Sequence, residues 1–110
     1  MPHIILEVSQ DFDIEIAKDI IDESQKFLVE NLPTKLETFK SRVHRYIYAS
    51  VAGANLKELI HLQIKVLSGR KQEHLQNLSK TLQKIIKDKL NNDKYNVTLE
   101  IIELSPAYAN

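Results

Sequence analysis

The chain of 110 residues has no cysteine and only two glycines. The lack of cysteine excludes disulfides, thiolate catalysis and cysteine-ligated zinc. Two glycines are too few for a glycine-rich phosphate loop, and no Gly-x-Ser-x-Gly elbow is present, so nucleotide-dependent and serine-hydrolase chemistry have no support. Fifteen basic residues balance fifteen acidic ones. No overall field therefore attracts nucleic acid or an anionic membrane, and neither is an expected partner.

Long hydrophobic runs are also missing. The N-terminus has no charged-then-apolar signal pattern, and no apolar run approaches the length of a membrane span. These features favour a soluble, cytoplasmic protein, and the length favours one domain over residues 1–110. The four histidines (His3, His44, His61 and His74) have no spacing typical of a metal site. We therefore do not expect these histidines to bind zinc.

Hydrophobic periodicity predicts six elements in the order β-α-β-β-α-β. Asp11 or Asp13 is the expected N-cap of the first helix, Pro33 marks its end, and asparagine at 91 closes the second helix because it tolerates the left-handed conformation. Residues 52–55 read as a turn between the two middle strands. The predicted strands contain residues 3–8, 42–51, 60–66 and 97–101, and the helices run from 14 to about 32 and from about 70 to 90.

A weak internal repeat accompanies this order. A shift of 58 residues lays Ile4 on Leu62, and it also lays Ala17 on Leu75. Two β-α-β units would form an α+β fold, in which a four-stranded mixed sheet carries both helices on one face. The other face would be only half covered, which points to subunit packing. The simpler interpretation is that the hydrophobic patterns of any two β-α segments are similar, whether or not the segments are a true repeat.

Pro2 is the first candidate for chemistry. A small second residue normally leads to removal of the initiator methionine, which leaves proline with a free secondary amine. An α-amino group has a pKa of about 7.7–8.0, and burial or a nearby cation lowers that pKa. The best general bases have pKa values near the working pH, so a proline heading a strand is a candidate base. The simpler interpretation is a strand-edge residue without a role.

Basic residues near two element boundaries are candidate anion ligands. Arg70 lies at the start of the second helix, where free backbone N–H groups and the helix dipole favour an anion, and its guanidinium can bind a carboxylate bidentately. Lys40, Arg42 and Arg45 form a basic cluster at the start of the second strand, where alternation places Arg42 and Arg45 on opposite faces. A solvated surface is the commoner explanation for each of these residues.

Four short segments together resemble the 5-carboxymethyl-2-hydroxymuconate isomerase family of the tautomerase superfamily, whose members use an amino-terminal proline. They are Met1-Pro2-His3, Ser41-Arg42-Val43-His44, Gly69-Arg70 and Glu103-Leu104-x-Pro106. The resemblance runs from Pro2 to about Pro106. It implies a homotrimer that moves a proton within a small anionic, unsaturated 2-hydroxy or 2-oxo acid, without a cofactor.

The resemblance also implies residue roles. Pro2 would be the general base, and Arg70 would bind a substrate carboxylate, with Lys40 or Arg42 assisting. The family has a second pocket arginine at the position of Lys40, and lysine lacks the planar bidentate fork. Hydration or dehalogenation by the same proline is a related possibility. The alternative is a non-catalytic trimeric binding or structural protein that retains the fold.

Overall fold

Four strands and two α-helices alternate along the computed structural model, which describes residues 1–53 and 57–110. A short 3₁₀ turn, Leu36–Thr38, precedes the second strand. The predicted order β-α-β-β-α-β is confirmed. The elements are β1 (His3–Ser9), α1 (Ile14–Asn31), β2 (Lys40–Tyr46), β3 (Glu58–Val66), α2 (Gln72–Leu90) and β4 (Tyr95–Glu103).

The second strand differs most from its prediction. It begins at Lys40, two residues early, because the Lys40 N–H donates to the Pro2 carbonyl at 3.0 Å and Lys40 pairs with the first residue of β1. It ends at Tyr46, which pairs with Ser9, the last residue of β1. Beyond that point β1 offers no further partner. Of the expected turn, Ala52 and Gly53 are described, whereas positions 54 and 55 lie outside the described residues.

Both helices have their expected boundaries. The Asp13 carboxylate accepts the Glu15 N–H at 2.8 Å, so Asp13 is the N-cap of α1. Pro33 follows the extended residue that ends this helix. Asn91 ends α2 in the left-handed conformation, with φ 45° and ψ 46°, which asparagine tolerates better than most residues. No helix in the described part of the chain is long and apolar enough to cross a membrane.

The sheet has the strand order β2-β1-β3-β4. Each outer strand is parallel to its inner neighbour, and the two inner strands are antiparallel. Both helices cover the same face, where alternate strand residues are buried, so the expected mixed sheet with helices on one face is confirmed. The positions that the 58-residue shift superposes belong to this core: Ile4 and Leu62, Leu6 and Ile64, Val8 and Val66, Ala17 and Leu75, Ile20 and Leu78.

The antiparallel pairing of the two inner strands, β1 and β3, determines which segments lie at the same end of the sheet. His3 pairs with Lys65, so the beginning of β1 lies beside the end of β3. His3 also pairs with Lys40, so the beginning of β2 lies on its other side. Pro2, Lys40 and the loop between β3 and α2 are therefore at one end of the sheet.

Candidate active site

Pro2 is buried immediately before the first residue of β1. Its carbonyl accepts the Lys40 N–H, which fixes the backbone at this point. The preceding Met1 is also held: its amino group donates to the Thr38 carbonyl at 2.6 Å. Its carbonyl oxygen lies 3.0 Å from the Thr34 hydroxyl and 3.1 Å from the Thr38 hydroxyl. These hydrogen bonds fix the backbone on both sides of the Pro2 nitrogen.

A cavity of about 450 Å³ lies in front of Met1. The segment between α1 and β2 supplies most of its wall, and Lys40, Leu67 and Asn110 complete it. A second depression of about 450 Å³ lies at the C-terminal end of α2, beside residues 91–93, and none of the sequence-predicted site residues lines it. The cavity at Met1 is therefore the candidate active site.

Positive charge dominates this end of the sheet. On the face that carries no helix, His3 lies between Lys40 and Lys65 in one cross-strand row. Burial, and then the charge of Lys40, lowers the pKa of the Met1 amino group. Burial also lowers the pKa of His3, assisted by Arg42, the terminal amino group, Lys40 and Lys65. This environment disfavours protonated bases and favours a bound anion.

Arg70 lies in the loop that follows β3, two residues before α2. It is not among the residues that line the cavity, but its Nη1 donates to the carbonyl of Leu67, which does line it, at 2.8 Å. Arg70 Nε is buried and has no hydrogen-bond partner within residues 1–53 and 57–110. The structure thus brings Pro2 and Lys40 together. Arg70 does not line the cavity itself but contacts Leu67, which does.

Glu103 binds the loop that precedes α2 rather than the backbone N–H groups of the helix itself. Its carboxylate accepts the Gly69 N–H at 2.7 Å and a hydrogen from the Gln72 side chain at 3.1 Å. Gly69 has φ +106°, which glycine adopts freely, and this conformation is part of the loop that meets the carboxylate. The Gly69 N–H is therefore bonded within the chain, whereas the N-cap of α2, Lys71, makes no side-chain capping hydrogen bond.

The 5-carboxymethyl-2-hydroxymuconate isomerase family matches residues 2–110. The chain belongs to this family. It is therefore an isomerase of the tautomerase type, as the resemblance in the sequence implies. No curated protein matches the chain.

Solved structures share the fold of this isomerase. A 5-carboxymethyl-2-hydroxymuconate isomerase from Deinococcus radiodurans R1 is 18% identical, with a TM-score of 0.78, covering 99% of this chain and 87% of the other. A macrophage migration inhibitory factor-like protein from Entamoeba histolytica is 24% identical, with a TM-score of 0.73 and coverages of 99% and 94%. A fused 4-OT described as a symmetric trimer is 17% identical, with a TM-score of 0.78 and coverages of 96% and 89%.

Arg42 of this isomerase lies on the helix-free face and contacts His3 rather than the cavity wall. Its Nη1 is 3.1 Å from Nδ1 of His3. A guanidinium can only donate, so Nδ1 is the acceptor and Nε2 carries the hydrogen. Nε2 then donates to the Tyr108 hydroxyl at 2.8 Å. The C-terminal segment thus orients His3, and His3 orients Arg42.

Two other predicted features of the isomerase have structural roles. Arg45 lies on the opposite face from Arg42, as expected, and its Nη1 donates to the carbonyls of Ser9, Gln10 and Phe12. His61 contacts the Thr98 hydroxyl at 2.7 Å. Throughout residues 1–53 and 57–110, no cluster of three or more histidine and carboxylate side chains could hold a metal ion.

Sequence reasoning missed Thr34, Thr38 and Tyr108. The two threonines lie in the connection between α1 and β2, and Tyr108 lies beyond the last strand. The segments around these residues lack the hydrophobic periodicity that would assign a side chain to one face of a helix or strand. Strand alternation could have placed His3 and Arg42 on one face once the parallel pairing of β1 and β2 was known.

Proposed function

We propose that Pro2, after removal of Met1, is the general base of a cofactor-independent tautomerase. The substrate is a small unsaturated 2-hydroxy or 2-oxo carboxylic acid resembling 5-carboxymethyl-2-hydroxymuconate. The observation that carries the proposal is the position of Pro2: it lies buried at the head of an inner strand, directly after Met1, which lines the cavity together with Lys40. Family membership supplies the reaction class.

The environment supports an unprotonated amine at Pro2. Burial and the charge of Lys40 lower the pKa of the amino group of Met1, one residue before. Pro2 is itself buried, and its carbonyl is bonded to the Lys40 backbone. The same two influences would act on its amine and keep it neutral near pH 7, where it can accept a proton.

Three cations have complementary roles toward an anionic substrate. Lys40 lines the cavity and binds a carboxylate next to the base. Arg70, whose Nη1 is bonded to the carbonyl of Leu67 on the cavity wall, would bind the far end of the substrate through its guanidinium. Arg42, oriented by His3, extends the positive field along the helix-free face. Lysine at position 40 supplies charge without the bidentate geometry of arginine, so carboxylate recognition there depends less on orientation.

The proposed reaction moves one proton. The nitrogen lone pair of Pro2 takes the proton of the substrate 2-hydroxyl, and the electrons of that O–H bond form the C2=O carbonyl. The electrons of the C=C bond shift to a carbon farther along the conjugated system, which takes the proton back from the prolinium. The product is an isomer of the substrate, and Pro2 is regenerated. The cations stabilise the negative charge of the intermediate dienolate.

A homotrimer is the proposed assembly. One face of the sheet carries no helix in the described part of the chain. Packing of three sheets would cover such surface. The fused 4-OT that shares the fold is a symmetric trimer. Light scattering should give three chains of 12.7 kDa each, about 38 kDa, and a stable monomer would contradict the assembly.

The decisive experiment follows enol–keto conversion of 2-hydroxymuconate and its carboxymethyl analogue spectrophotometrically. Intact mass first establishes that Met1 is absent. Pro2→Ala leaves a primary amine and should reduce kcat/KM strongly, while Pro2→Leu, whose large side chain favours retention of Met1, should abolish turnover. No turnover by the wild-type protein lacking Met1 would favour the non-catalytic trimeric protein, for which the replacement of arginine by Lys40 is the supporting feature.

A further inference from the structure

The carbonyl oxygen of Met1, beside the nitrogen of Pro2, lies close to the hydroxyls of two threonines. Thr34 Oγ1 lies 3.0 Å from this oxygen, and Thr38 Oγ1 lies 3.1 Å from it. The two hydroxyls are 3.3 Å apart. Both threonines line the cavity in front of Met1. The Met1 carbonyl therefore shows which contacts an oxygen atom makes with these hydroxyls at this position.

Only one of the two hydroxyls is free to donate to that oxygen. Thr38 Oγ1 is 2.6 Å from the Lys35 carbonyl, a shorter contact than its 3.1 Å distance to Met1. Because a hydroxyl has one hydrogen, Thr38 donates to Lys35. Thr34 has the Met1 oxygen as its nearest acceptor, and its hydrogen points there. Its backbone N–H donates to the Leu32 carbonyl at 2.8 Å, which fixes the residue independently of Met1.

The distance from Thr34 to the Pro2 nitrogen follows from covalent geometry. The carbonyl oxygen and the nitrogen of one peptide bond are about 2.3 Å apart. With 3.0 Å from that oxygen to Thr34 Oγ1, the hydroxyl lies within about 5.3 Å of the Pro2 nitrogen. A single oxygen atom can lie at hydrogen-bond distance from both, since a bond to the hydroxyl reaches about 3.0 Å and a bond to the nitrogen about 3.2 Å.

We propose that the Thr34 hydroxyl binds the substrate oxygen that Pro2 deprotonates. This inference rests on the proposed function, since it requires removal of Met1. Once Met1 is absent, Pro2 stays in place because its carbonyl still accepts the Lys40 N–H. The substrate 2-hydroxyl gives its proton to the Pro2 nitrogen and accepts the hydrogen of Thr34. As the O–H electrons form the C2=O bond, negative charge spreads over this oxygen and the conjugated carbons, and the Thr34 donor stabilises it.

A purely structural role for Thr34 predicts different behaviour. If the hydroxyl only orders the connection between α1 and β2, its removal should lower stability and affect all ligands alike. If it binds the 2-oxygen, its removal should affect only molecules that carry this oxygen. Comparison of 2-oxohexanedioate with hexanedioate, two dicarboxylates that differ in the 2-oxo group, separates these roles.

The test uses the full chain with absence of Met1 confirmed by mass. Thr34→Val and Thr34→Ala delete the donor, Thr34→Ser keeps it, and Thr81→Val, on the exposed surface of α2, is the matched control. Donor deletion should reduce kcat about 100- to 1,000-fold and weaken binding of 2-oxohexanedioate about 10-fold, with hexanedioate unaffected. Thr34→Ser and Thr81→Val should behave as wild type.

The outcomes separate this inference from the proposed function. If Pro2→Ala loses activity while the folded Thr34→Val or Thr34→Ala variant keeps kcat, Pro2 remains the base and the Thr34 assignment is wrong. Equal weakening of both dicarboxylates, or loss of activity in Thr34→Ser, would also overturn it. If Pro2→Ala is fully active, the proposed base fails, and the inference fails with it.

Discussion

Replacement of Tyr108 by phenylalanine isolates one hydrogen bond between the C-terminal segment and β1. The variant loses the 2.8 Å bond from His3 Nε2 to the Tyr108 hydroxyl. It keeps the edge-to-face ring contact, with centroids 5.5 Å apart and an interplanar angle of 82°. Such a bond contributes about 1 kcal/mol net. For 110 residues, an unfolding entropy of about 2.1 cal/mol/K per residue converts this loss into a Tm lowered by about 4 °C.

Thermal unfolding at pH 8 tests this value, because His3 is neutral there and its Nε2 carries the donated hydrogen. Tm of an oligomer depends on concentration, so all variants are compared at equal concentration. Tyr48→Phe is the control, since Tyr48 is 75% exposed. A double-mutant cycle with His3→Ala should give a coupling near 1 kcal/mol. A coupling below about 0.3 kcal/mol, or an equal Tm loss in Tyr48→Phe, would refute the reasoning.

Three further predictions concern charge and packing. The pKa of His3 is lowered in the folded state, so the unfolded chain binds the proton at higher pH than the folded chain does. The free energy of unfolding, measured with urea, should therefore fall as the pH drops below about 6.5. A fall of the same size in His3→Gln would contradict this. Lys40→Met should raise the pKa of the Pro2 amine and move the acid limb of kcat/KM to higher pH, whereas Lys40→Arg should leave it in place. Leu62→Ala, at a site 1% exposed, should cost about 2–5 kcal/mol in denaturant unfolding; a cost below about 1 kcal/mol would place Leu62 outside the core.

The element order could be predicted because the apolar residues are regularly spaced. Alternation at Ile60, Leu62, Ile64 and Val66 marks a strand with one buried face, and the structure buries all four. The end of α2 was predictable for a local reason, since Asn91 adopts the left-handed conformation. These features depend on neighbours within a few residues, and the sequence displays them directly.

Strand ends and site contacts depend on partners distant in the chain. Lys40 begins β2 because its N–H reaches Pro2, 38 positions earlier, and no local pattern marks this bond. Glu103 reads as a strand terminus, yet its carboxylate accepts the Gly69 N–H across the loop. Thr34 lies in an irregular segment where periodicity carries no information. Pairing register and loop conformation were therefore needed to define the site.

The two halves of the sheet explain why only one of its ends carries the proposed base. The strand order is symmetric about the β1–β3 boundary, and a shift of 58 residues superposes Pro2 on Ile60. Ile60 lies within β3 and is 1% exposed, so its nitrogen is an amide inside a continuous strand. On the proposed mechanism, the fold supplies a buried strand head with cations at its side, and removal of one methionine supplies the amine. The second half repeats the scaffold without the chain terminus that the chemistry requires.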